Sequence, residues 1–311
     1  MLYDKINFVY TAFPHLGSAY FGTHGLEKAL RKAGKLHYSF NVRGSEFLNK
    51  EELQKYPVLY MAGHTQGKLH FIEDASSQFK ATFQPESFFT RHGKPDSSSA
   101  LIREREHMFD MIFTVADTDV NLYSIPTVHC SPWADTNVMY PMNHHIPMSE
   151  DLICVGGKDG REDFIKNDKK KIIRWLNTEW HADPVINVKR YTELMGKHLH
   201  FVNPPGRYYN GVTGRMWEIL ACKRLCFQYY NEFTMFKTLA DFKDGQDIVY
   251  FKTIDELEYK HDYYLKHMDE GLQIAENGNK KFLNGHTQDI RANFLADTIL
   301  AMANKKQLVS A

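Results

Sequence analysis

Strand, glycine-bearing loop and helix follow one another twice in this chain, and that repeat restricts the fold more than any other feature. Lys5-Ile-Asn-Phe-Val-Tyr-Thr11 is a short β-rich run, a Pro/Gly loop extends from Pro14 to Gly22, and a helix is predicted from His24 to Lys32, ending near Gly34. The pattern restarts with a strand at Leu152 to Val155, followed by Gly156-Gly157 and a helix predicted from Asp163 to Leu176. A chain that alternates in this way builds parallel sheets with helices on both faces. Two such starts predict an α/β protein of two Rossmann-like domains facing across a cleft. In the first half, further strands are expected at Leu36 to Asn41, Val58 to Ala62, Leu69 to Ile72, Met111 to Val115 and Thr127 to His129, with a helix from Ser98 to Phe109. In the second, strands at Leu199 to Val202 and Leu225 to Tyr229 flank a helix from Thr213 to Cys222, and helices dominate from about Ile254 onward.

The length agrees with that division, since 311 residues exceed what one core usually holds. The segment Ser131 to Pro147 carries three prolines and little periodicity, so it reads as a linker. The expected organisation is therefore an N-terminal domain over 1–140, a second domain over 141–290, and a C-terminal helix over 291–311 packing back toward the first. Charge excludes a dedicated nucleic-acid platform: the first 150 residues hold 14 Lys+Arg against 16 Asp+Glu, and the remainder 24 against 22. Arg91, His92, Lys94, Arg103 and Arg105 are interrupted by Glu104 and Glu106 and read as a solvated face. Cys130, Cys154, Cys222 and Cys226 lack zinc-finger spacing and are expected as buried reduced thiols. No signal peptide is evident, and no apolar run approaches the ~20 residues that span a bilayer, so a cytoplasmic protein is expected.

Between Tyr208 and Gln228 the order is glycine loop, short helix, buried strand. Gly211 and Gly214 permit backbone conformations closed to other residues, and Thr213 is a good helix cap, so the first free N–H groups of the helix face whatever precedes them. An anion is the natural occupant. Arg215 adds a planar fork suited to phosphate oxygens, and Glu218, one turn on, can accept from a pair of sugar hydroxyls. The competing reading is an ordinary capped helix with a surface Arg/Glu pair. His144-His145, with His129 nearby, lack a His-Glu-x-x-His frame, and no metal site is expected.

At this point the chain resembles the CgeB-like (spore-protein-like) branch of the family 1/family 4 glycosyltransferases, which have the glycosyltransferase B-type fold. The resemblance rests on Leu152-Ile-Cys-Val-Gly-Gly157, His200-Phe-Val-Asn-Pro204, Gly214-Arg-Met-Trp-Glu-Ile-Leu-Ala221 and Gly245-Gln-Asp-Ile-Val-Tyr-Phe251 followed by Thr253-Ile-Asp-Glu-Leu257. Tyr263-Tyr-Leu265, Ile274-Ala-Glu-Asn-Gly278 and His286-Thr287 before Arg291 match the closing helices. The first domain matches through Phe109-Asp-Met-Ile-Phe-Thr-Val115 and Pro132-Trp-Ala-Asp135. One departure is Lys223, where the family usually has glycine. Two readings of it are open: a reach toward the donor phosphate, or a cation at the helix C-terminus, the latter preferred.

The resemblance implies a nucleoside diphosphate sugar as co-substrate, held mainly by the second domain, and an acceptor hydroxyl held by the first. Arg215 would contact the diphosphate and Glu218 the ribose or sugar hydroxyls. Gly156 and Gly157 would permit close approach, and Asn210, Gly211, Thr213 and Gly214 would complete the donor loop. No cofactor or metal is expected, because helix dipole, backbone N–H groups and cationic side chains stabilise the leaving diphosphate. Glycosyl transfer often uses a base on the acceptor hydroxyl. Asp74, His15 and Asp117 are the candidates, each near a predicted strand end or the first glycine loop. The acceptor is open among saccharide, protein, small molecule and modified DNA base. A non-catalytic nucleotide-sugar-binding assembly protein and a sugar-nucleotide epimerase are the alternatives.

Overall fold

The structure is a computed structural model and describes residues 2–310 apart from 11–17, 42–48, 62–78, 85–96, 143–148, 157–160, 177–183, 206–213 and 231–240. The first half runs β1 (Ile6–Tyr10), α1 (Ser18–Lys32), β2 (Leu36–Asn41), α2 (Lys50–Lys55), β3 (Val58–Met61), β4 (Lys80–Gln84), α3 (Ser97–Glu104), β5 (Met111–Thr114) and β6 (Thr127–His129). The second runs β7 (Ser149–Val155), α4 (Glu162–Asn167), β8 (Ile173–Leu176), α5 (Pro184–Lys197), β9 (His198–Asn203), α6 (Gly214–Ala221), β10 (Leu225–Tyr229), β11 (Val249–Phe251), α7 (Ile254–Lys266) and α8 (Met268–Gly285). The last helix is α9 (Gln288–Ser310). The chain forms two compact units, which divide at Ser131/Pro132 and again at Thr287/Gln288, so α9 belongs to the first.

In the first unit six parallel strands lie in the order β2-β1-β3-β4-β5-β6. Every residue of β1 and β3 is buried, the signature of a parallel strand covered on both faces. Asn7 is the polar member of β1 and is fully buried. Its amide donates to the carbonyls of Glu52, Leu53 and Tyr56, which satisfies the open end of α2. The C-terminal helix α9 packs along α1, and Ala292, Leu295, Ala296, Ile299 and Ala303 are buried at helical spacing along one of its faces. Lys32 and Lys35 pair with its Asp289 and Asp297, and Asn304 bonds the backbone of Tyr3 in both directions.

In the second unit five parallel strands lie in the order β11-β10-β9-β7-β8. Alternation along β7 sends Ile153 and Val155 into one core with Phe201 and Trp217, and Leu152 and Cys154 into another with Val202 and Phe227. Ala134 and Met139, from the segment expected as a linker, are buried in the first of these cores. Helix α8 closes against α6 and the turn at Asp247 because position 278 is glycine. A Cβ there would sit 2.3 Å from the Asp247 carbonyl oxygen and 2.8 Å from the Leu220 side chain. The next residue, Asn279, donates to the Leu220 and Ala221 carbonyls at 2.8 and 3.1 Å and so ends α6.

The helix expected over Asp163 to Leu176 stops at Asn167, and Ile173–Leu176 is the edge strand β8. Asp168 causes the break: its carboxylate accepts the N–H groups of Ile172 and Ile173 at 2.9 and 3.2 Å, and Lys171 turns through φ +55°. Lys169, Lys170 and Lys171 therefore form that turn instead of a helix face. The helix expected over Ser98 to Phe109 ends at Glu104 and continues as a 3-10 turn over Glu106–Met108. Strands β4 and β11 and helix α5 were not anticipated. The expected strand Leu69 to Ile72 lies outside the described residues. Among the described residues no helix is long and apolar enough to cross a membrane.

Candidate functional site

Strand β7 delivers the chain to Gly156, whose φ of +124° is a conformation that side-chain-bearing residues rarely adopt. Its N–H donates to the Leu176 carbonyl at 3.2 Å, which ties it to the end of β8. A methyl group built on Gly156 would lie 3.6 Å from Nη1 of Arg161 and 3.8 Å from Nη2 of Arg215. Two guanidinium groups from separate elements thus converge on one glycine at the carboxyl end of a parallel strand, where α/β sheets bind ligands. Arg161 sits at the start of α4 and lies over the Trp175 ring, 6.0 Å from its centre. Arg215 is in the first turn of α6, where the helix dipole also favours an anion.

Arg215 is held by its own helix and by α5. Nη1 meets Glu218 Oε2 at 2.6 Å and donates to the Tyr191 hydroxyl, which in turn donates to the same Glu218 oxygen at 2.8 Å. The Tyr191 ring lies 4.8 Å from the guanidinium carbon, so the cation has an aromatic face beneath it. Burial pulls the Arg215 pKa down, but Glu218 and Tyr191 outweigh it and hold the group above its ordinary value. Burial raises the Tyr191 phenol well above its usual range, so it stays protonated and remains a donor. Burial first, and the neighbouring Arg215 charge, lower the Arg161 pKa. Cys154 itself is pushed by burial up to about 11, so it is a neutral thiol beside the two cations.

Gly156, Gly214, Arg215 and Glu218 are among the residues expected to bind a donor, and the structure brings Gly156, Arg215 and Glu218 together. Glu218 differs from its expected role in one respect, because Oε2 is already engaged by Arg215 and Tyr191. Gly157, Asn210, Gly211 and Thr213 lie outside the described residues, as do His15, Asp74, His144 and His145. Asp117 is half-buried and opens the 3-10 turn Asp117–Leu122 after β5. Two residues on, Asp119 is buried and accepts from Gln84 at 3.0 Å, while Gln84 accepts from the Tyr123 hydroxyl, so Asp119 belongs to the scaffold of that turn. Among the described residues no three His, Cys, Asp or Glu side chains gather as a metal-ligand set.

Two members of the site were missed in the sequence. Arg161 had a signal: it lies five positions after Gly156, in the same loop between β7 and α4. Tyr191 had none, because its contact with Glu218 spans 27 positions and the helix carrying it was not anticipated. Lys223 lies at the far end of α6 with φ +55°, its ammonium on Glu276.

Solved structures with the same architecture are many. A glycosyltransferase from Rickettsia africae ESF-5 aligns with TM-score 0.61 at 10% identity, covering 96% of this chain and 99% of that one. Anabaena Alr3699/HepE in complex with UDP gives TM-score 0.55 at 10% identity, with 96% and 100% covered. An alpha-glucosyltransferase in complex with UDP and a 13-mer DNA containing an HMU base gives 0.62 at 10% identity, with 94% and 98% covered. No curated protein matches the sequence. The two all-parallel α/β units, together with these likenesses, define the glycosyltransferase B-type fold. More particularly, the chain belongs to the glycosyl transferase-like family, whose sequence model matches residues 128–297, more than half its length.

Proposed function

We propose that this glycosyltransferase takes a nucleoside diphosphate sugar, with the diphosphate seated between Arg161 and Arg215 at Gly156. The convergence of two partly buried guanidinium groups on a glycine with positive φ carries the reading. Two guanidinium groups that converge on one glycine present planar forks of N–H donors, the geometry that suits the oxygens of a diphosphate. As the glycosyl bond breaks, negative charge grows on the departing diphosphate, and fixed cations in a partly buried site stabilise it without reorganisation. We propose on the same ground that no metal is needed. Uridine is the favoured base because HepE and the alpha-glucosyltransferase are both in complex with UDP.

The motifs between Leu152 and Thr287 favour the CgeB-like branch, and the use of a nucleoside diphosphate sugar favours action in the cytoplasm. The base for the acceptor hydroxyl is assigned to the first unit, from Asp74, His15 or Asp117. The acceptor class stays with saccharide, protein, small molecule or modified DNA base. The reading is tested by thermal stabilisation with a panel of nucleoside diphosphates. One of them, UDP first, is expected to raise the Tm of the wild type, and Arg215→Ala should abolish that rise. Unchanged stabilisation of Arg215→Ala would overturn the assignment of the pocket.

A further inference from the structure

We infer that Tyr191 is a positioning residue that aims the guanidinium of Arg215 at the donor diphosphate, an inference that rests on the donor reading above. The observation behind it is the way the Arg215–Glu218 pair is made. An arginine and a carboxylate three residues apart on a helix are free to form the two-point fork, which is the strong form of the pair. Here they do not. The contact runs through a single nitrogen, Nη1, and a single oxygen, Oε2. The Tyr191 hydroxyl is bonded to both of those atoms, accepting from Nη1 and donating to Oε2 at 2.8 Å. It therefore closes a three-membered ring of hydrogen bonds with Nη1 and Oε2, which fixes the pair at that single point.

The aromatic ring supplies the second constraint. With its centre 4.8 Å from the guanidinium carbon, it restricts the tilt of the plane. One edge of the guanidinium is thus pinned from two sides, and the opposite edge, Nη2, is left on the Gly156 side, 3.8 Å from where a methyl group on Gly156 would be. Tyr191 is itself only 5% exposed, so its hydroxyl does not reach ligand and acts through Arg215. Preorganisation of this kind raises affinity by removing the cost of ordering a long side chain at the moment of binding.

The test uses the full chain, with UDP and UMP as probes, or the diphosphate and monophosphate of whichever base stabilises the wild type best. Tyr191→Phe keeps the ring and removes the hydroxyl. It is expected to raise the Kd for the diphosphate about tenfold, the effect of one hydrogen bond to a charged group, while the monophosphate changes less than about twofold. Thermal unfolding is measured alongside. A Tyr191→Phe protein that binds the diphosphate as tightly as wild type overturns the inference. So does one that loses both ligands in equal proportion, because a merely structural residue would weaken the whole pocket. Tyr191→Leu, which removes ring and hydroxyl, should widen the ratio of diphosphate to monophosphate loss. Arg215→Ala run in parallel separates the two readings. If it too leaves diphosphate affinity intact, the donor site is wrong. If it weakens binding and Tyr191→Phe does not, only the positioning role fails.

Discussion

The two ends of helix α6 carry the same kind of ion pair in opposite settings. At the N-terminal end Arg215 and Glu218 keep only 15% and 8% of their side-chain surface, and at the C-terminal end Lys223 and Glu276 keep 42% and 31%. The buried pair has an aromatic ring beneath it, and a second guanidinium, that of Arg161, reaches the same glycine. The exposed pair sits where Asn279 already satisfies the helix carbonyls and where the packing of α8 requires Gly278. Residue types alone do not separate these cases. Burial does, because a charge taken out of water is costly to keep unless it stays paired.

The largest expected effect follows directly. Glu218→Ala leaves Arg215 buried with Tyr191 as its remaining partner and should lower unfolding free energy by about 3–5 kcal/mol, the usual cost of breaking one side of a buried pair. Glu276→Ala should cost less than about 1 kcal/mol, as exposed pairs do. Urea unfolding of the two variants measures both. Equal losses would erase the distinction between the two ends of the helix.

Much of the candidate site is legible in the sequence because parallel strands announce themselves. Leu36–Asn41, Thr127–His129 and Leu225–Tyr229 are strands at the bounds that their apolar runs and flanking turns predict. Gly156 and Arg215 were legible for a related reason: glycine after a buried strand and a capped helix after a glycine loop both mark the edge where ligands bind. What failed was local pattern without its tertiary partner. The run Asp163 to Leu176 has helical composition, yet the Asp168 carboxylate bonds two backbone N–H groups of the following turn and diverts the chain into β8. Tyr191 was invisible because nothing in a helix remote in sequence specifies which arginine its hydroxyl will meet.

Acid adds a control on the comparison, since a loss of stability at low pH could be mistaken for the breaking of either ion pair. His200, on β9, is fully buried, and neither ring nitrogen has a hydrogen-bond partner. Its neighbours are Phe227 and His261, the latter bonded to the Glu150 carbonyl at 3.2 Å. Burial, and then the charge of His261, lower the His200 pKa to about 3. The folded protein therefore keeps the ring neutral where the unfolded chain protonates it near its ordinary value of about 6.5. Stability is complete above that value and falls as pH drops from there toward 3, at about 1.4 kcal/mol per pH unit and about 2 kcal/mol by pH 5. His198 and His261, both also lowered by burial, add in the same direction. Chemical denaturation of His200→Phe between pH 7 and 5 should show a slope smaller by one proton. An unchanged slope would return the acid loss to other groups.

The smallest effect is the most direct test of the far end of α6. The turn after α1 and the turn after α6 are closed by the same two bonds: Gly34 N–H to Arg31 and Lys35 N–H to Leu30 in one, Lys223 N–H to Leu220 and Arg224 N–H to Ile219 in the other. Both pivots have positive φ, +70° at Gly34 and +55° at Lys223. Only the first has the residue that this conformation favours, and a lysine there carries strain of about 1 kcal/mol. Lys223→Gly relieves that strain, gives up an exposed pair worth less than about 1 kcal/mol, and adds freedom to the unfolded chain. These terms nearly cancel, so the net change in stability should be under about 1 kcal/mol, read as a Tm shift of less than about 3 °C in either direction. Diphosphate affinity should not move, because Lys223 is at the opposite end of the helix from Arg215 and its ammonium rests on Glu276. A loss of affinity in Lys223→Gly would mean that the lysine reaches the donor, and the two ends of α6 would then serve one site.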